Sequence, residues 1–187
     1  MSDAVSALPG ARFAGLVDLA EAGPCGMITL RGDLSAAAVA KAVKDTTGLA
    51  LPKPRQVAIG KAASVAWMAP DECLIVLDYA KAAETVAALE TAVADAFATV
   101  AEVSDARAVF TIRGAQARDV LAKACPVDFA DFPVGTIRRT RAAQGAAAVW
   151  RSGEEEFTLV CFRSVAGYMW DLLTTLARPG GEVGLYR

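Results

Sequence analysis

The sequence contains no histidine. That removes the side chain whose unperturbed pKa lies nearest neutrality. Serine–histidine and cysteine–histidine nucleophilic pairs go with it, as do zinc sites built on imidazole. Chemistry would fall to carboxylates, lysine, cysteine or a borrowed cofactor. Cysteine is scarce as well: Cys25, Cys73, Cys125 and Cys161 are widely spaced, with no Cys-x-x-Cys pair. No exported disulfide framework is implied, and a reduced, cytoplasmic setting is the economical expectation. No Gly-x-Gly-x-x-Gly follows a strand pattern, and no phosphate-binding loop is present. The chain is therefore expected to carry no nucleotide, flavin or metal of its own. The glycine-rich stretch Gly180–Gly184 follows a helical pattern and reads as a loose tail.

Long apolar runs are missing too. The longest uncharged run has nine residues, against about 20 apolar ones for a membrane-spanning helix. Met1 to Gly15 has no basic cluster leading into an apolar stretch and does not read as a signal peptide. With 19 basic and 21 acidic residues the net charge is −2, so no global field draws in nucleic acid or an anionic membrane. Apolar residues supply 55% of the 187 positions, enough for a sizeable core.

What is present is written twice. Ile28-Thr29-Leu30-Arg31-Gly32 and Phe110-Thr111-Ile112-Arg113-Gly114 share the order apolar, Thr, apolar, Arg, Gly. Ala40-Lys41-Ala42 is repeated as Ala122-Lys123-Ala124, Trp67 as Trp150, and Glu72 with Leu74–Leu77 as Glu156 with Thr158–Cys161. The drift in offset is what small loop insertions cause. A duplication is the reading.

Local patterns agree. Period-two alternation predicts strands near 16–21, 27–31, 55–60, 64–68 and 73–78 in the first half. The second half gives strands near 99–103, 107–113, 137–141, 146–151 and 157–162. Helices are predicted over 34–46, 81–97, 115–124 and 164–177. Asp33 is a candidate N-cap and Gly48 a stop for the first helix. Val86, Leu89, Val93 and Phe97 form an apolar stripe on the second. Each half reads two strands, helix, three strands, helix. One α+β domain spanning 1–187 is expected, with repeat halves of about 13–97 and 99–177.

Several groups could carry function. Arg138, Arg139 and Arg141 cluster on one strand, and Arg107, Arg113 and Arg118 lie nearby in sequence. Such a patch suits carboxylates or phosphates on a ligand, or an acidic partner, and arginine is enriched in interfaces. Glu154-Glu155-Glu156 reads as a solvated hairpin tip, Trp67 and Trp150 as core, and Lys123 as solvated. Cys125 sits at a helix C-terminus, which does not activate a thiol.

In the second half, Ser104-Asp105-Ala106-Arg107, Gly114, Ala117-Arg118-Asp119-Val120-Leu121 and Cys125-Pro126-Val127-Asp128 follow one another in a familiar order. Phe132-Pro133-Val134-Gly135, Arg139-Thr140, Trp150, Phe157 and Arg163–Trp170 continue it, and Trp67-Met68-Ala69-Pro70-Asp71-Glu72 precedes it. Together they resemble the gamma subunit of heterotetrameric sarcosine oxidase, over about Ala63 to Leu176. Cys73 departs from the pattern, where a larger, often aromatic residue is usual. The resemblance implies a fold like the folate-binding domain of aminomethyltransferases, which is itself built from two similar halves. It implies a complex that oxidatively demethylates sarcosine to glycine. Oxygen is reduced to hydrogen peroxide, and the one-carbon unit passes to tetrahydrofolate as methylenetetrahydrofolate. It implies alpha, beta and delta subunits as partners. The alpha and beta subunits hold NAD, FAD and FMN, and the delta subunit holds zinc. No catalytic residue of the family maps onto this chain.

Two other readings stand beside a structural subunit. An autonomous folate-dependent aminomethyltransferase-like enzyme would need a poised carboxylate, with Asp105 and Asp119 as candidates by position. A non-catalytic folate-binding module would need only the arginine patch.

Overall fold

The computed structural model describes residues 4–186; the first three residues of the stretch read as lacking a leader lie outside the described residues. The fold is α+β; the described residues form two antiparallel sheets and four α-helices. The chain forms two compact units, Met1–Gly23 with Asp105–Arg187 (unit 1) and Pro24–Ser104 (unit 2).

Unit 2 holds a five-stranded sheet. Its strands are β3 (Cys25–Gly32), β4 (Val57–Ile59), β5 (Ala63–Ala69), β6 (Glu72–Asp78) and β7 (Ala98–Glu102), in the order β4-β5-β6-β3-β7. Helices α1 (Ala37–Thr47) and α2 (Ala82–Ala92) pack beside each other. Val39, Ala42 and Val43 of α1 and Leu89 of α2 are buried with Ile28, Leu30, Val65, Cys73 and Ile75. Burying each large aliphatic chain stabilises by ~1.5–3 kcal/mol. Asp33 does not cap α1: it accepts from the Ser35 N–H in a turn before the helix, whose N-cap is Ala36. Gly48 does end it, at φ 73°, its N–H donating to the Lys44 carbonyl at 2.9 Å. A side chain there would be strained.

Unit 1 holds six strands: β1 (Arg12–Ala14), β2 (Asp18–Glu21), β8 (Arg107–Arg113), β9 (Ile137–Ala142), β10 (Gly145–Gly153) and β11 (Glu156–Phe162). Their order is β1-β2-β8-β11-β10-β9. Helices α3 (Ala117–Ala124) and α4 (Ala166–Leu176) bring Val120, Leu121, Met169 and Leu173 onto Phe110, Ile112, Val149 and Leu159. The rings of Phe129, Phe132 and Phe157 meet within this core at centroid distances of 5.1–5.9 Å.

The ladders match rung for rung. Arg31 faces Glu72 across β3 and β6, and Arg113 faces Glu156 across β8 and β11. Both hairpins that follow carry a register shift, at Trp67/Ala69 and at Arg151/Gly153. Two strands change places, however. β2, read in sequence order with the first half, pairs with β8, and β7 pairs with β3. Glu21 faces Phe110 and Glu102 faces Ile28, so the exchange itself is repeated.

Three local expectations need correction. Helix α2 ends at Ala92 rather than at residue 97, and Phe97 is fully exposed (103%) instead of completing a buried stripe. The β7–β3 ladder takes the chain from Ala98 onward, and it needs the bare Gly32 opposite: a Cβ there would lie 2.9 Å from the Ala98 Cβ. Long-range strand pairing overrides helical periodicity. Trp67 and Trp150 are not equivalents, because Trp67 faces Cys73 whereas Trp150 faces Thr158. The rung of Trp67 is held in unit 1 by Arg151, which faces Phe157. Trp150 is buried, and Trp67 only half-buried. The tail is not loose, as described next.

Candidate interaction surface

Asp119, on the first turn of α3, is buried, and its Oδ1 accepts the backbone N–H groups of Leu185 (3.0 Å) and Tyr186 (3.1 Å). The Tyr186 hydroxyl accepts from the Phe129 N–H at 3.2 Å. Lys123 reaches the carbonyls of Leu176 and, at 2.9 Å, Gly181. It closes the C-terminal end of α4, where unpaired carbonyls favour a cation. The glycine-rich tail is thus tied to α3 by three of its residues, and Lys123 is not a solvated lysine. The Oδ1 oxygen of Asp119 thus holds the tail. Asp105 is exposed at the start of the turn before β8.

The six arginines do not converge on one spot. Arg107 faces Phe162 across the β8–β11 ladder, its guanidinium 5.4 Å from the ring centroid. Arg113 pairs with Glu156 at the other end of the same ladder. Arg118 lies on α3 with Nη1 3.5 Å from the Ala130 carbonyl. It lines a small cleft of about 190 Å³ with Arg151, Glu154, Glu155 and Tyr186. Arg138, Arg139 and Arg141 share β9, the end strand of the six-stranded sheet. Arg138 lies over the Phe132 ring at 5.4 Å and donates to the Ile137 carbonyl at 2.8 Å. Arg139 and Arg141 are exposed.

Arg151 was absent from the sequence-based candidates, yet it is the most engaged arginine of the hairpin. It donates to the carbonyls of Phe132 (3.3 Å), Gly153 (3.2 Å) and Glu154, and to the Glu154 carboxylate (3.0 Å). The three glutamates are a hairpin tip, as read, but a structured one. Glu156 also accepts from Ser152 at 3.0 Å.

Burial pushes the Cys73 and Cys125 thiols up to about 12, and Cys161 to about 11; the Glu72 carboxylate adds to the effect at Cys73. These thiols stay protonated and inert near neutrality. Among the described residues no group of three or more Cys, Asp or Glu side chains is placed to hold a metal ion. None of the described helices is long and apolar enough to cross a membrane. A cleft of about 670 Å³ opens in unit 2 beside the end of α1 and the start of α2. Its charges, Asp45, Lys61, Asp78, Lys81 and Glu84, are of mixed sign, with Lys81 and Glu84 paired at 3.2 Å. None of the six arginines lines it.

The family model for the sarcosine oxidase gamma subunit matches residues 31–178. The chain belongs to the sarcosine oxidase gamma subunit family. A chain of the heterotetrameric sarcosine oxidase from Corynebacterium sp. U-96, solved in complex with pyrrole 2-carboxylate, is similar to it in fold. The TM-score is 0.80 at 25% identity, covering 89% of this chain and 87% of that one. Aminomethyltransferase T of the glycine cleavage system from Bartonella henselae shares the fold at TM-score 0.63 and 19% identity, over 83% of this chain and 44% of that one. No curated protein gives a significant match. In this gamma-family chain the matched segment starts at Arg31, so β1 and β2 lie ahead of it.

Proposed function

We propose that this chain is a structural, assembly subunit of a heterotetrameric sarcosine oxidase and carries no active site. The observation that supports it most is the family match over residues 31–178 together with a fold shared along nearly the whole of a sarcosine oxidase chain. The complex would demethylate sarcosine to glycine, reduce oxygen to hydrogen peroxide and deliver methylenetetrahydrofolate. FAD, FMN, NAD and zinc would sit in the alpha, beta and delta partners, in the cytoplasm. The inventory of side chains favours this division of labour. Without histidine, and with three of its four thiols held protonated by burial, the chain offers few groups that move protons near neutrality. An autonomous folate enzyme is disfavoured by Asp119, whose Oδ1 accepts two tail amides.

Co-expression with the three partner subunits tests the reading. A stoichiometric, yellow complex with sarcosine oxidase activity is expected, and a colourless, inactive chain when it is made alone. A chain that stays apart from the other three, or that turns over sarcosine or a folate by itself, would overturn it.

A further inference from the structure

A lone apolar residue on a protein surface is ordinary and calls for no explanation. Three features set Phe97 apart. The first is degree. Phe97 is 103% exposed, whereas the next most open large apolar residues, Leu185 and Val5, reach 62% and 59%. The second is its place in the repeat. Glu102 faces Ile28 as Glu21 faces Phe110, so Phe97 stands before Glu102 where Leu16 stands before Glu21. Leu16 packs against the core of unit 1. Both units carry an apolar residue at this place, and unit 2 turns its own outward.

The third feature is how firmly the ring is presented. The turn between α2 and β7 is closed by two backbone bonds of 2.8 Å, from the Ala96 N–H to the Val93 carbonyl and from the Ala98 N–H to the Ala96 carbonyl. The second of these spans Phe97 alone and makes a γ-turn. Behind the turn, the Gly32 N–H donates to the Asp71 carbonyl at 2.9 Å. A Cβ on Gly32 would lie 3.0 Å from the Phe97 carbonyl oxygen. The backbone that carries the ring is therefore packed in place, and a fixed backbone lowers the ordering cost of binding. Beside Phe97 opens a cleft of about 270 Å³, lined by the small residues Gly32, Ala96 and Ala98, by Thr99 and by the Arg31–Asp71 ion pair. A projecting ring next to a recess is the form of one half of an interlocking interface.

We propose, on the subunit reading above, that Phe97 is an anchor for a partner subunit. Its ring enters an apolar socket with a basic rim, and a side chain of that subunit fills the cleft beside it. Aromatic side chains at the centre of an interface, ringed by polar contacts that exclude water, carry most of its binding energy. Charge around the ring selects the occupant. Asp95, two residues ahead of Phe97, and Asp71 are exposed. Arg31 lies 3.2 Å from Asp71 and 3.6 Å from Glu72, so one arginine stands among three carboxylates. An anionic membrane surface is repelled by that surplus. A second copy offers the ring clefts lined with charged side chains, such as Lys61 and Asp78, Arg31 and Asp71, or Arg118 and Glu154. Covering those charges with a phenyl ring is costly. The occupant is therefore an apolar recess on a different subunit.

Hydroxyl-radical labelling of the full chain, free and in the assembled complex, reads the ring directly: Phe97 is labelled in the free chain and loses that labelling on assembly. Phe97→Ala leaves the urea midpoint of the free chain in place, because the ring is fully exposed there. The same variant weakens affinity for the remaining subunits by roughly thirtyfold, the equivalent of about 2 kcal/mol. Phe97→Leu, which keeps an apolar knob, loses less. Asp95→Lys also weakens assembly, by a margin that shrinks as salt rises. Unchanged labelling of Phe97 in a complex that does form overturns the anchor and leaves the subunit reading intact. So does equally tight assembly of Phe97→Ala. Undiminished assembly of Asp95→Lys overturns the basic rim. A dimer of the isolated chain that Phe97→Ala dissolves overturns the proposal in favour of a second copy. Flotation of the isolated chain with phosphatidylcholine vesicles, lost in Phe97→Ala, overturns it in favour of a membrane. Failure of the wild type to assemble removes the subunit reading and this proposal with it.

Discussion

At one rung of the shared ladder unit 1 carries Phe157, edge-on to Phe129 at 5.8 Å, and unit 2 carries Cys73. Both side chains are buried in the helix-covered core of their own unit. The same backbone plan is therefore filled in two ways. Unit 1 uses an aromatic cluster, a partly buried arginine at the hairpin and a tethered tail. Unit 2 uses small aliphatic chains and tight helix ends. Duplication preserved the hydrogen-bond ladder and let the packing diverge, because the ladder constrains backbone while a core tolerates any filling of adequate volume.

The largest difference should appear at that rung. Phe157→Ala is expected to cost ~3–5 kcal/mol through lost burial and a cavity, and Cys73→Ala only about 1 kcal/mol, in urea unfolding of the whole chain. Equal losses would mean that the two cores share their load. Next comes the tether, which unit 2 lacks. Asp119→Ala leaves the Leu185 and Tyr186 amides without an acceptor, costs ~1–3 kcal/mol, and exposes the tail to a glutamate-specific protease at Glu182. An uncleaved tail in that variant would show that Lys123 and Tyr186 suffice. Alkaline pH sharpens the comparison further. The three buried thiols have folded-state pKa values above their ordinary 9.0, at about 11 to 12. The stability they confer as neutral groups is whole below pH 9.0 and lost as pH rises towards 12. Replacing Cys125 and Cys161 together by Ala should flatten this decline more than replacing Cys73 alone. Smallest is the pair of ladder arginines. Arg31 and Arg113 are each about three-fifths exposed. Replacing either by Ala should cost ~0–1 kcal/mol, less as salt increases.

Much of the secondary structure was legible in the sequence, and the reasons are local. β8 was read at its observed bounds because Ala108, Phe110 and Ile112 alternate with partly exposed neighbours. Gly48 marked the end of α1 by the one conformation it takes easily. Sheet membership was not legible. β2 and β7 carry no signal of which sheet they join, and their partners lie far along the chain. The Trp67–Trp150 match slipped by one residue where aromatic identity pulled against the true register. The arginine patch was legible only as composition. Arg113 is occupied by a glutamate 43 residues away, and Asp119 by a tail 66 and 67 residues away. No short window contains those pairs. Arg151 went unnoticed because what engages it is mainly carbonyl oxygens, which every residue has.

The exchange of β2 and β7 has a consequence for synthesis. Pro24–Ser104 is one unbroken stretch and can close its five-stranded sheet as soon as β7 leaves the ribosome. The β1–β2 hairpin is made before that stretch but waits for β8 to emerge, and the sheet it joins is finished only by β11. During that interval a short pair of strands, which is marginal alone in water, stays without its neighbour. The order of birth and the order of completion are therefore reversed between the β1–β2 hairpin and unit 2, and chaperone demand should fall on that hairpin.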